Sequence, residues 1–271
     1  MWRALTLTWM LLIGLAGSGR AESTPLYQAV ESEGTPNYLL HLPVDYEATD
    51  QHYPLLFFLH GIAQKGNGSA TALEKVAEDG PFRTMRDGLW DSTLPFIVVG
   101  PQSGGLLPWW RGAEVRKVLE HVRKTYRIDP RRIYLTGISM GGRSIWWLAK
   151  NFAGDFAAMI PVSAWSGDLK NSCREFAHMG VWAFHGEHDP LIGVSSGRKP
   201  VDVLAGCSPP LTTAPKFTIL DDTGHGNWQL VFENQHGADN TGGDGRSYDD
   251  VYRWLLSFSN QNPTDRNSTG P

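Results

Sequence analysis

The sequence predicts an α/β protein: a single domain on a mostly parallel, doubly wound sheet with helices on both faces. Short runs of apolar and β-branched residues alternate with segments of helical periodicity, the pattern that produces parallel strands joined by crossovers. Several of these runs are apolar on every residue, which suits strands covered by helices on both sides. The chain's 271 residues, 41% of them hydrophobic, suffice for one sizeable core and are too few for two comfortable ones.

Taken in order, the first segment is not part of the fold. Arg3, an apolar run from Ala4 to Leu15 and small residues up to Ala21 have the layout of a secretory leader, and the run is too short to span a bilayer. Residues 1–21 are therefore expected to be a signal peptide, 22–262 the domain proper and 263–271 a flexible tail. No cysteine follows the leader to carry a lipid, so no stable membrane anchor is expected and the protein should be periplasmic or extracellular. Export implies an oxidising compartment, which makes Cys173 and Cys207 candidates for one disulfide. A formal charge of −4 without basic clusters argues against nucleic acid or an anionic membrane as partner.

Seven strands are predicted, beginning at Tyr38, Leu55, Phe96, Ile133, Ala157, Val181 and Lys216. In "GAEVRKVLEHVRKTY" the apolar Val115, Val118, Leu119 and Val122 follow i, i+3, i+4, i+7 spacing, which predicts an amphipathic helix. "SIWWLAKNF" and "YDDVYRWLLSF" predict two more, with Trp146 and Trp147 both expected in the core.

The chemistry lies at strand ends. Gly137-Ile138-Ser139-Met140-Gly141 is a G-x-S-x-G directly after a strand and before a helix, the setting of a nucleophile on a tight elbow. A hydroxyl needs a base, and the base needs an orienting carboxylate. "EHDPLIG" puts Asp189 after the strand from Val181, and "DTGHGNW" puts His225 after the strand from Lys216. Asp221 and Asp222 are rival acids, but they lie too near His225 in sequence. His185, His188 and Asp189 lack a second cluster that would complete a metal site, so neither metal nor organic cofactor is expected. Backbone N–H groups of Met140 and of Ile62, in "LHGIAQKGNG", are candidates for holding an oxyanion, with His60 bracing that loop. Eleven tryptophans are unusually many. Trp109, Trp110, Trp165 and Trp228 fall in loops near strand ends and are candidates for lining a substrate site.

Taken together, "LHGIAQKGNG", "GPQ" followed by "WW", "GISMGG", "HGEHDPLI" and "GHGNW" resemble, in order and spacing, the α/β-hydrolase serine esterases. The nearest resemblance is to the exported polyhydroxybutyrate depolymerase-like, feruloyl and acetylxylan esterases and to the phospholipase/carboxylesterase group. It implies an α/β-hydrolase fold and a triad of Ser139, Asp189 and His225 with Ile62 and Met140 as oxyanion donors. A small or oligomeric ester is the implied substrate, with short-acyl, aryl, sugar or hydroxyalkanoate esters favoured over long-chain lipids. Two stretches depart from the family pattern. "PVSAWSGD" carries Trp165 where small residues are usual, and the loop at 234–247 looks inserted. A serine peptidase of the same fold and a non-catalytic carbohydrate binder are the competing readings.

Overall fold

The computed structural model describes residues 26–261 and 263, apart from 106, 108, 227, 235–249 and 262. The expected leader, nearly all of the tail and most of the 234–247 loop lie outside the described residues.

Eight strands form one sheet: β1 (Gln28–Val30), β2 (Tyr38–His41), β3 (Tyr53–Leu59), β4 (Ile97–Pro101), β5 (Ile128–Ile138), β6 (Ala158–Val162), β7 (Gly180–Gly186) and β8 (Lys216–Leu220). Their order is β1-β2-β4-β3-β5-β6-β7-β8. β2 runs antiparallel to both of its neighbours, and β4, β3, β5, β6, β7 and β8 are mutually parallel. All seven sequence-predicted strands are present. β1 was not foreseen, because it has three largely exposed residues that owe their place to pairing with β2.

Eight α-helices are present among the described residues: α1 (Ala70–Leu73), α2 (Gly80–Arg86), α3 (Gly112–Thr125), α4 (Met140–Asn151), α5 (Cys173–Phe176), α6 (Val194–Ala205), α7 (Gln229–Phe232) and α8 (Val251–Leu256). Every residue of β3 is buried, and successive side chains point to opposite faces of the sheet. Leu55, Phe57 and Leu59 join one core with α3, α4 and α6, through residues such as Val118, Trp146 and Leu204. Leu56 and Phe58 join a second core on the other face with α2, α7 and α8, through Phe82, Phe232 and Trp254. The fully apolar strand pattern thus has its expected cause. Val115, Val118, Leu119 and Val122 of α3 are all buried, as their spacing requires.

Cys173 and Cys207 are joined, linking α5 to the end of α6 across a sequence separation of 34. Closing a loop of that length restricts the unfolded chain. Replacing both cysteines by serine is expected to lower the unfolding free energy by about 3 kcal/mol, measured by urea denaturation. An unchanged midpoint under oxidising conditions would count against the bridge.

Candidate active site

Ser139 sits between β5 and α4 with φ 50° and ψ −114°, a backbone region that non-glycine residues rarely occupy. The turn is this tight because three glycines admit backbone where a Cβ would stand. A Cβ on Gly137 would lie 2.7 Å from the carbonyl carbon of Gly141, and one on Gly142 would lie 2.6 Å from the Cβ of Ala164. One on Gly141 would lie 1.8 Å from the Leu59 carbonyl oxygen, so the end of β3 packs directly on the elbow. The Ser139 N–H donates to the Val162 carbonyl at 2.9 Å, and its own carbonyl accepts from the Arg143 N–H at 2.9 Å.

The loops after β7 and β8 bring the other two groups to it. They are stitched together by the His188 N–H donating to the Thr223 carbonyl at 2.8 Å and the Asp222 N–H donating to Glu187 Oε2 at 3.0 Å. Gly186 makes room, since a Cβ there would stand 2.2 Å from the Gly224 carbonyl oxygen. His225 Nε2 lies 2.9 Å from Ser139 Oγ, and His225 Nδ1 lies 2.7 Å from Asp189 Oδ2. The Asp222 side chain is 99% exposed, so that rival acid points to solvent, and Asp221 is exposed too.

Asp189 Oδ1 accepts from the N–H groups of Leu191 and Ile192, each at 2.9 Å. Burial alone would raise its carboxyl. Hydrogen bonds from His225, Ile192 and Leu191 outweigh that effect and hold it below the ordinary carboxylate range. Buried His185 also meets it, with Nε2 3.2 Å from Asp189 Oδ2 and 2.7 Å from the Ile192 carbonyl. His188 faces Glu187 and Asp222 on the surface, so the imagined His185, His188 and Asp189 grouping does not gather.

Met140 is the first residue of α4 and Ile62 the first of a short 3₁₀ turn (Ile62–Gln64), so neither N–H has an acceptor within its own helix. The two segments are adjacent, because a Cβ on Gly61 would stand 3.6 Å from Ile138 Cγ1. His60 braces this loop as expected. Its Nδ1 lies 2.5 Å from the Gly61 carbonyl, and its Nε2 accepts the Ser103 N–H at 3.0 Å. Burial pushes the imidazole down to about 4, so the ring is neutral in the fold. A hydroxyl, an imidazole and a carboxylate in line can perform nucleophilic acyl transfer.

The tryptophans differ in exposure and in their hydrogen bonds. Trp109 and Trp165 are 45% and 38% exposed, as a lining role needs. Trp110 is instead buried and donates to the His60 carbonyl at 3.2 Å. Trp228 donates to Asp79 Oδ1 at 2.7 Å and stands edge to face with the His225 ring, centroids 5.3 Å apart. Both have an indole N–H already committed to a bond inside the protein. Trp147, expected in the core, is 46% exposed, since two consecutive helical residues point about 100° apart and Trp146 takes the inward position.

Sequence reading missed Asp79 and Gln64. Gln64 Nε2 donates to Asp79 Oδ2 at 2.6 Å, so Asp79 ties the Ile62 loop to Trp228 and, through it, to His225. The partners lie 15 and 149 residues from Asp79, and no local pattern announces such contacts.

No protein-family model matches the chain. Over 147 residues, 51% of its length, it is 28% identical to the bifunctional acetylxylan esterase/xylanase XynS20E of Neocallimastix patriciarum, and it covers 20% of that protein. It is 22% identical over 193 residues to acyl-protein thioesterase 1 of Gibberella zeae, which aligns over 60% of this chain and 81% of the relative. A thermostable esterase of known structure superposes with a TM-score of 0.58 at 25% identity, over 86% of this chain and 63% of that one. The chain thus spans a fifth of the first relative and under two thirds of the thermostable esterase. Sheet order and these similarities agree on an α/β-hydrolase fold of the esterase kind.

Two outcomes test the geometry without reference to activity. Gly141→Ala is expected to cost more than about 3 kcal/mol of stability, whereas Gly167→Ala, with no atom near its missing Cβ, should stay within about 0.5 kcal/mol. Equal effects in urea denaturation would contradict the packing of β3 on the elbow. Because the folded state holds His60 neutral, its contribution is complete above its ordinary value of 6.5 and is lost as pH falls towards about 4. His41 is lowered by burial and acts in the same direction. Unfolding free energy should therefore fall by about 1 kcal/mol per pH unit in that window. His60→Gln should flatten the slope, and an unchanged slope would refute the assignment.

Proposed function

We propose that the chain is an exported serine esterase that hydrolyses carboxylic esters through an acyl-enzyme. One observation carries this reading: His225 bridges Ser139 Oγ and Asp189 Oδ2 at 2.9 and 2.7 Å, at a strand-to-helix turn where the serine has a φ of 50°. Similarity to an acetylxylan esterase/xylanase, a thioesterase and a thermostable esterase supports the reaction class.

In this mechanism His225 Nε2 takes the Ser139 proton as Oγ bonds to the ester carbonyl carbon. The N–H groups of Ile62 and Met140 receive the oxyanion. Collapse of the tetrahedral intermediate breaks the bond to the alcohol oxygen, and the His225 proton goes to that oxygen. Water then enters and gives its proton to His225 as its oxygen bonds to the acyl carbon. The second collapse returns the proton to Ser139 Oγ and releases the acid. Asp189 remains ionised throughout, in line with the hydrogen bonds that hold its carboxyl down, and keeps Nδ1 of His225 protonated.

The leader-like residues 1–21 and the Cys173–Cys207 bridge support export. No helix among the described residues is long and apolar enough to cross a membrane. Exposed Trp109, Trp147 and Trp165 support esters that carry an aromatic or sugar ring over plain long acyl chains.

The test is a graded panel of p-nitrophenyl esters, acetyl to palmitoyl, with feruloyl and acetylated-sugar esters beside them. Wild type should be active with a short-chain or ring preference, and Ser139→Ala should lose about 10⁶-fold in kcat. Near-wild-type turnover by Ser139→Ala would end this reading.

A further inference from the structure

Arg143 stands one turn after the elbow, bonded through its N–H to the Ser139 carbonyl. It is partly buried, yet among the described residues its guanidinium has neither hydrogen bond nor ion pair. The guanidinium carbon lies 5.6 Å from the centroid of the Trp165 ring. A contact of this kind does not use the guanidinium's N–H donors for a hydrogen bond.

The surroundings are concave and aromatic. On one side of Arg143 is a cavity of about 280 Å³ whose walls include Trp109, Trp110 and Trp147. On the other is one of about 240 Å³ between Trp147 and the Ser166–Leu169 loop. The second cavity carries charges of both signs, Arg143 and Lys150 with the exposed Asp168. Lys150 donates to the Asp168 carbonyl at 2.7 Å, a contact with backbone and not with a carboxylate. Of the acids nearby, Glu114 pairs with Arg111 at 3.4 Å, and Asp168 Oδ1 accepts the backbone N–H of Lys170 while its charge stays unpaired among the described residues. Neither reaches Arg143. A partly buried guanidinium with neither hydrogen bond nor ion pair has donors to offer a ligand.

We propose that Arg143 is a specificity residue that binds a carboxylate on the substrate, so that the site prefers esters whose ring carries an acidic group. The proposal rests on the esterase reading and names its substrate class. Trp165 pre-orients the guanidinium, and the edge donors form the paired hydrogen bonds to which a carboxylate is matched. The acidic group lies on the acyl or on the alcohol side of the scissile bond, and the two sources are separated by substrate choice.

Two matched pairs make the measurement: 4-carboxyphenyl acetate against 4-acetylphenyl acetate, and 4-nitrophenyl 4-carboxybenzoate against 4-nitrophenyl 4-acetylbenzoate. Each kcat/KM is divided by the hydroxide-catalysed rate of the same ester. Wild type should favour the carboxylate member of at least one pair by about tenfold or more at low salt. The pair that responds identifies the side of the bond. The ratio should shrink in 0.5 M NaCl, fall to about one in Arg143→Gln and be partly kept in Arg143→Lys. Wild-type ratios near one in both pairs, with the neutral esters hydrolysed, would overturn the proposal and leave the esterase reading intact. So would an undiminished ratio in folded Arg143→Gln. If wild type hydrolyses no ester at all, the esterase reading falls and this inference falls with it.

Discussion

The site depends on one close approach, the backbone of Gly141 against the carbonyl of Leu59. It brings the first turn of α4 onto the end of β3 and thereby sets Ser139 beside the loop that carries Ile62. Ser139 keeps φ 50° and ψ −114° only because its neighbours leave it no alternative. A conformation of this kind costs on the order of 1–3 kcal/mol. The offset comes from the central strands β3 and β6, which are buried throughout, and from the buried second half of β5, whose ladder continues to Ile138, next to the serine.

Around that contact the molecule uses buried polar side chains to fix loops that the sheet cannot reach. Asp79 accepts from Gln64 on one side and from Trp228 on the other, so the loop before the elbow and the loop carrying His225 share one carboxylate. Gln102 accepts the Gly68 N–H and donates to the Gln64 carbonyl, anchoring the same loop to the end of β4. Asp189 is satisfied by two backbone N–H groups as well as by His225, and can therefore stay ionised while buried. Each arrangement moves the desolvation cost of a polar group away from the reacting atoms.

What the sequence made legible follows from where its signals are local. Most of the parallel strands read cleanly because burial on both faces demands apolar runs, while β8, with Lys216 and Thr218, is half-buried over most of its length. The elbow, Asp189 and His225 read cleanly because each follows such a run within a few residues. Helix α6 was hidden because Gly197 and Pro200 both argue against a helix. Gly197 is there for contact, since a Cβ on it would stand 2.2 Å from Nδ1 of His185. The tryptophans could be placed near the site from their loops, but not assigned to brace or rim. That division depends on which indole N–H finds a buried acceptor, and the acceptors of Trp110 and Trp228 lie 50 and 149 residues away in sequence.

The central claim is that Ser139 is a nucleophile activated by His225. Its most direct measurement is the site of covalent capture: the folded protein is treated with one equivalent of a fluorophosphonate, and the adduct is mapped by peptide mass spectrometry. A single adduct on Ser139, formed at least about a hundredfold more slowly in His225→Ala, is the expected result. No adduct, an adduct on another residue, or equal rates in the two proteins would contradict it.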